Sequence, residues 1–180
     1  MAESDFTATA AVPAALRTAL AAVSPTIPGC RGAALLLLGH TCDATVRELV
    51  SLDIADLTAR SASLVLKIRR QDGERDDLIS LSPQRADPTN YALAATQKLL
   101  DSLRAAGRTD GPLFVMTDGY AWVTGSATQG KRPFYDPTGR LTAGAAANIV
   151  IRIGRAAGVE FNCDWTKDSL RLCFSTATGP

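Results

Sequence analysis

Three basic residues that lie close together in the sequence could bind phosphate groups. Lys67, Arg69 and Arg70 belong to the segment SLVLKIRR at residues 63–70, which has the composition of a β-strand. Ammonium and guanidinium groups bind phosphate oxygens through charge-assisted hydrogen bonds. The same predicted hairpin also carries four acidic residues, Asp72, Glu74, Asp76 and Asp77. These acids favour a solvated hairpin with internal ion pairs over a phosphate-binding one.

A second group of basic residues lies in the segment 117–139, which is rich in glycine, threonine and aromatic residues. Lys131 and Arg132 stand beside Phe134 and Tyr135, so cations and stacking rings are neighbours. Such a combination can hold a nucleic-acid backbone and stack on its bases. An ordinary surface loop is the competing interpretation, and the pattern favours it.

Metal and cofactor sites are not expected. No two of the four cysteines have the spacing of a zinc-ligand pair, and His40 is the one histidine in the chain. We therefore expect buried, reduced thiols, no metal and no cofactor. The cysteines are Cys30, Cys42, Cys163 and Cys173.

Length and composition indicate a globular protein with one domain. The chain has 180 residues, of which 46% are hydrophobic. Its 19 Lys and Arg residues nearly balance 18 Asp and Glu residues, whereas a protein that binds the DNA backbone usually has a basic excess. The apolar run at residues 33–39 is too short to cross a membrane, and no basic signal segment is recognisable at the start, so we expect a cytoplasmic protein.

Periodicity and turn residues predict a mainly α fold with a small antiparallel β-hairpin or sheet, of the α+β class. Residues 1–10 form a predicted disordered leader, and the segment 24–29 is a predicted break between helices. An extended segment is expected at 112–116 and a loop or second hairpin at 117–139. The predicted hairpin strands are 63–70 and 77–81, and the predicted helices are 13–23, 31–40, 45–52, 88–103, 141–157 and 166–176.

An ordered series of segments resembles the catalytic domain of tyrosine recombinases (the phage integrase family). The resemblance covers residues 16–176 and implies one integrase-catalytic-like domain over 11–180. The N-terminal core-binding domain and the C-terminal segment with the tyrosine nucleophile are not recognisable. The matching segments are RGAALLLLG at 31–39, RELVSLDIADL at 47–57, the hairpin at 64–70, GPLF at 111–114, GRLT at 139–142 and DSLRLCFST at 168–176.

The resemblance also implies where the family's catalytic residues would fall. Thr45 takes the place of the first phosphate-clamping arginine, Asp72 that of the hairpin lysine and Asp168 that of a histidine. Arg171 alone retains the family's residue, as the second clamping arginine. A carboxylate ~5 Å from a phosphate charge, at an effective dielectric constant of ~20, costs about 3 kcal/mol. We therefore expect a recombinase-like protein without recombinase activity.

Two functions remain open from the sequence. The first is a non-catalytic, DNA-binding or regulatory protein that contacts double-stranded DNA weakly. The second is a protein-protein interaction module, or a self-associating protein, that no longer binds DNA. Because both rest partly on the resemblance, neither follows from the fold alone. The DNA-binding candidates are Lys131, Arg132, Lys67, Arg69, Arg70 and Arg171.

Overall fold

A computed structural model of the chain describes residues 14–70, 76–83, 92–118, 121–122 and 138–159. Within these ranges the fold is mixed α and β, with five α-helices, a three-stranded antiparallel sheet and a two-stranded ribbon. The helices are α1 Ala14–Ala21, α2 Ile27–Thr41, α3 Val46–Ser51, α4 Ala92–Ala105 and α5 Ala143–Ala156, with one 3₁₀ turn at Ile54–Asp56. The strands are β1 Leu57–Arg60, β2 Ser63–Arg69, β3 Asp76–Leu81, β4 Thr117–Asp118 and β5 Ala121–Trp122.

Helix α2 is the centre of the core. Its four consecutive leucines at 35–38 are all at most 2% exposed, so the helix is covered on every side. It packs against α3, α4 and α5, and α1 packs against α5. A helix that is apolar all round must be buried, because exposing any face to water would cost free energy.

The start of α2 differs from the sequence-based expectation. The predicted break at 24–29 contains the first turn of the helix, which begins at Ile27 with Pro28 within that turn. The Thr26 hydroxyl accepts a hydrogen bond from the Gly29 amide at 3.4 Å. Proline is tolerated in the first turn because its missing N–H has no helical partner there. The prediction that the helix begins at Arg31 was therefore wrong.

The predicted hairpin is confirmed as the pair β2 and β3, with Leu66 opposite Ile79 and Lys67 opposite Leu78. Strand β1, which the sequence did not reveal, pairs with the other side of β2, so the sheet order is β1-β2-β3. Side chains alternate along β2: its buried face carries Leu64, Leu66 and Ile68. Lys67 and Arg69 therefore lie on the opposite, outer face.

Most of the second half of the described chain follows the sequence-based expectation. Gly107 ends α4 with a φ of 77°, and Gly158 follows α5 with a φ of 66°, both in the left-handed region that favours glycine. The segment 112–116 is mostly buried, and Phe114 is fully covered. It forms isolated bridges at Pro112 and Val115, with bends at the two residues between them, and not the expected extended segment. Strands β4 and β5 pair within the segment that was predicted as a loop or second hairpin. The predicted leader at 1–10 and the predicted helix at 166–176 lie outside the described residues.

Gly29 is required by space, because a Cβ atom at this position would lie 1.9 Å from the Ser24 carbonyl oxygen. We expect Gly29→Ala to lower the free energy of unfolding by about 2 kcal/mol or more, since the backbone before α2 must shift. Gly144 is the matched control, because no heavy atom lies within 4 Å of a Cβ atom there. Gly144→Ala should leave stability unchanged or raise it by up to about 1 kcal/mol. Urea denaturation measures both, and equal effects would contradict the prediction.

Candidate functional site

The basic side chains on the outer face of β2 form ion pairs within the protein. Lys67 Nζ lies 2.7 Å from Asp76 Oδ2, with both side chains nearly half exposed. Arg69 Nη2 lies 2.5 Å from Asp56 Oδ1, and Asp56 is only 7% exposed. The neighbouring acids therefore neutralise these two DNA-binding candidates, although each side chain keeps some contact with solvent.

Arg70, which follows β2 directly, is the most highly connected cation among the described residues. Its Nε donates to Asp77 Oδ2 at 2.7 Å, and its Nη1 donates to Glu48 Oε2 at 3.1 Å. The guanidinium also donates to the carbonyl oxygens of Cys42 at 3.0 Å and Asp43 at 3.2 Å. Burial disfavours its charge, but Asp77 and Glu48 outweigh that effect and raise the pKa of Arg70. Arg70 thus joins the end of α2, helix α3 and strand β3.

Thr45, the residue expected at the first phosphate-clamping position, caps α3. Its hydroxyl accepts a hydrogen bond from the Glu48 amide at 3.1 Å, and Glu48 Oε2 accepts one from the Thr45 amide at 2.8 Å. This reciprocal arrangement is a capping box, which satisfies two amide groups that the helix leaves without partners. Thr45 is 7% exposed, whereas Arg47 in the first turn of α3 is exposed. The side chain at position 45 therefore has a structural role.

The candidates from the sequence fall into three groups. Asp72, Lys131, Arg132, Asp168 and Arg171 all lie outside the described residues. Of the predicted set, the structure brings Thr45 and Arg70 together through their shared partner Glu48. Lys67 and Arg69 lie on the same sheet but have separate acidic partners.

The sequence analysis missed a group of arginines on helices that carry no acidic residue. Arg17 on α1, Arg31 on α2, and Arg152 and Arg155 on α5 are the four. Helix α5 packs against both α1 and α2. No acidic side chain in the described ranges forms an ion pair with any of them. The sequence does contain a signal for this group of arginines, because residues 14–41 and 143–156 contain no Asp or Glu.

Burial shifts the two titratable groups at the carboxyl end of α2 toward their neutral forms. It lowers the pKa of His40 below its ordinary value of 6.5 and raises the pKa of the Cys42 thiol to about 12. A thiol with so high a pKa is a poor nucleophile and metal ligand at neutral pH. In the part of the chain that the structure describes, no cluster of His, Cys, Asp and Glu could hold a metal ion. None of the helices described there is long and apolar enough to span a membrane.

A cleft of about 490 Å³ lies between the turn that joins β1 to β2 and helix α4. Its polar lining residues are Arg60, Ser61, Ser63, Gln97, Asp101 and Arg104. Asp101 and Arg104 are strongly exposed and pair with each other at 3.3 Å. The cleft thus combines small, polar and apolar residues without a buried charged group, and it is a weak candidate for a catalytic site.

Comparisons with known proteins leave the family open. No family model, no curated protein and no solved structure matches the chain. The resemblance to tyrosine recombinases therefore remains an expectation from the ordered motifs of the sequence. Function has to be inferred from the charges and contacts of the residues themselves.

Arg70 and Lys67 offer a matched test of an ion pair with a buried acid against an exposed ion pair. We expect Arg70→Met to lower the free energy of unfolding by about 3–5 kcal/mol, because it removes the guanidinium that pairs with the buried Glu48 carboxylate. Lys67→Met should cost less than about 1 kcal/mol, since water solvates both partners of that pair. Chemical denaturation followed by circular dichroism measures both changes. Similar losses for the two variants would refute the structural role assigned to Arg70.

Proposed function

We propose that this protein is a non-catalytic, recombinase-like domain that binds double-stranded DNA through its phosphate backbone. The resemblance to tyrosine recombinases suggests DNA as the ligand. The distribution of charge indicates which surface of the protein would contact the DNA. Such a domain could regulate transcription or the action of an active recombinase.

The observation that carries this proposal is the separation of charges within the described residues. Around the sheet, Lys67, Arg69 and Arg70 each have an acidic partner. On helix α5, Arg152 and Arg155 are exposed and have none in the described part of the chain. Unneutralised cations attract the DNA backbone, because their binding releases condensed counterions. A local basic surface can therefore coexist with a net charge of only +1.

The orientation of α5 also suits a ligand that approaches from solvent. Its buried face carries Ala146, Ile149 and Val150, which join the core. Arg152, Arg155 and Asn148 are exposed on the helix. These side chains lie within three turns, so they could contact neighbouring phosphates of one duplex.

DNA binding should depend on α5 and be insensitive to exposed cations that already have an acidic partner. We expect Arg152→Gln combined with Arg155→Gln to weaken binding and to reduce the slope of log Kd against log salt by about 2. Fluorescence anisotropy with a labelled duplex over a series of salt concentrations measures both quantities. The matched control is Lys67→Gln combined with Arg104→Gln, which removes the same charge from two exposed ion pairs and should leave the slope unchanged.

Two results would contradict the DNA-binding proposal. The first is no binding of the unmodified protein to DNA even at low salt. The second is a change of slope in the control variant but not in the α5 variant, which would move the contact to the cations that have acidic partners.

Recombinase chemistry should be absent. The family's first phosphate-clamping position corresponds to Thr45, whose hydroxyl is engaged in the cap of α3. Without that cation, negative charge on a reacting phosphate loses one of its stabilising groups. We expect no covalent protein–DNA adduct on denaturing gels with a pool of nicked duplexes of random sequence, with an active tyrosine recombinase on its own site as the positive control. The three tyrosines of the chain are Tyr91, Tyr120 and Tyr135. An adduct that is abolished when one of them is replaced by phenylalanine would overturn this expectation.

One observation favours the alternative, a protein-interaction module that does not bind DNA. Leu78 on β3 is 72% exposed, and β3 is an edge strand of its sheet. Edge strands with exposed apolar residues can pair with a strand of another chain. If DNA binding fails, a loss of self-association in Leu78→Lys, measured by sedimentation velocity, would support this function.

A further inference from the structure

Arg31 is a buried cation whose surroundings are unusual. It lies in the second turn of α2, and its side chain is only 5% exposed. One guanidinium nitrogen, Nη1, donates to the carbonyl oxygen of Val115 at 2.7 Å. A carbonyl can accept this bond but cannot neutralise the charge. The residue therefore differs from Arg70, which has two carboxylate partners.

The other edge of the Arg31 guanidinium has no partner among the described residues. Its Nε is fully buried and without an acceptor, and the hydrogen bond to Val115 uses only Nη1. The Nε and Nη2 hydrogens point in the same direction and form a two-pronged donor. This is the geometry with which arginine binds two oxygens of one carboxylate or phosphate group.

No carboxylate in the described residues compensates Arg31, and a second cation lies near it. Burial, and then the charge of Arg152, lower the pKa of Arg31 to about 10, so the side chain remains protonated at neutral pH. A buried charge without a counterion is costly, and buried polar groups are almost always satisfied. An anion bound beside Arg31 would therefore compensate its buried charge.

The packing of α2 on α5 places this pair of arginines at a helix–helix contact. A Cβ atom on Gly32, the residue after Arg31, would lie 2.6 Å from Ile153 Cδ1, so the two helices approach closely there. Arg152 precedes Ile153 and is exposed. The contact therefore combines one buried guanidinium and one that is open to solvent.

We propose that Arg31 and Arg152 form a binding site for a phosphate group, with the buried guanidinium as a bidentate donor and the exposed one as a second counter-charge. A phosphate dianion matches the two positive charges, whereas a carboxylate would neutralise only one. The phosphate could be free or part of a small phosphorylated molecule, or it could belong to the DNA backbone. The inference does not depend on DNA binding, because inorganic phosphate alone can test it.

Thermal unfolding with and without inorganic phosphate tests the site. The unmodified protein is titrated with sodium phosphate, with sodium chloride at equal ionic strength as the reference. We expect a saturable rise in Tm of about 5 °C or more when the phosphate concentration is roughly 100 times the dissociation constant. Arg152→Gln, at an exposed position, should lose this rise without losing the fold. Arg60→Gln removes an exposed charge from the sheet and should keep the rise.

Arg31→Met gives the second arm of the experiment. Methionine retains the apolar stem but removes the buried charge, so this variant should also lose the phosphate response. Its Tm without phosphate should equal or exceed that of the unmodified protein, since an uncompensated buried cation is gone. If Arg31→Met does not fold, Arg152→Gln alone decides the outcome.

The outcomes of this experiment separate a failure of the phosphate site from a failure of the proposed DNA binding. A phosphate response that persists in Arg31→Met or in Arg152→Gln overturns the site, as does a response no larger than that to chloride. If the response is specific and a short duplex produces the same dependence on Arg31, the bound group is a backbone phosphate. If phosphate acts and the duplex does not, the site holds for a free phosphate while the proposed function fails.

Discussion

The hydrogen bonds of Arg70 hold together the elements around which the rest of the fold is arranged. The turn between α2 and α3 leaves the carbonyl oxygens of Cys42 and Asp43 without helical partners, and Asp43 has a φ of 45°, which is unusual for a residue other than glycine. Arg70 donates to both oxygens and also to Glu48 and Asp77. A single guanidinium therefore fixes the tight turn, the position of α3 and the register of the hairpin.

The same ion pairs explain why the hairpin is a poor choice for a phosphate-binding surface. Arg70 is engaged on several sides, and Arg69 neutralises the buried Asp56. Pulling either cation toward a ligand would leave an acid in the interior without its partner, which is strongly unfavourable. The arginines of α5 form no ion pair with an acid among the described residues. A cation that has no acidic partner in the fold remains available for binding a ligand. In this respect the arginines of α5 differ from Arg69 and Arg70.

Thr45 shows how a position of chemical interest can become a structural one. In the resemblance to tyrosine recombinases it replaces an arginine, and in the structure it and Glu48 cap each other's backbone at the start of α3. Glu48 in turn accepts a hydrogen bond from Arg70, so the cap and the ion-pair network share one carboxylate. An arginine at position 45 would lose the cap and bring a second cation to the same acid. The local structure is thus built around the smaller residue.

Sequence patterns were sufficient for most elements whose determining interaction is local, although they missed the start of α2, which Thr26 caps. The turn glycines 107 and 158, the alternation of β2 and the capping pair Thr45 and Glu48 all act within a few residues, and the corresponding elements are recognisable in the sequence. The basic hairpin and its nearby acids were also visible, and so was the interpretation as internal ion pairs. Tertiary structure decided which cations are neutralised by distant acids and which are not. Arg69 pairs with Asp56, which is 13 positions away in the sequence, and Arg31 donates only to the carbonyl oxygen of Val115, which is 84 positions away. Packing brings these residues together, and no local pattern encodes such contacts.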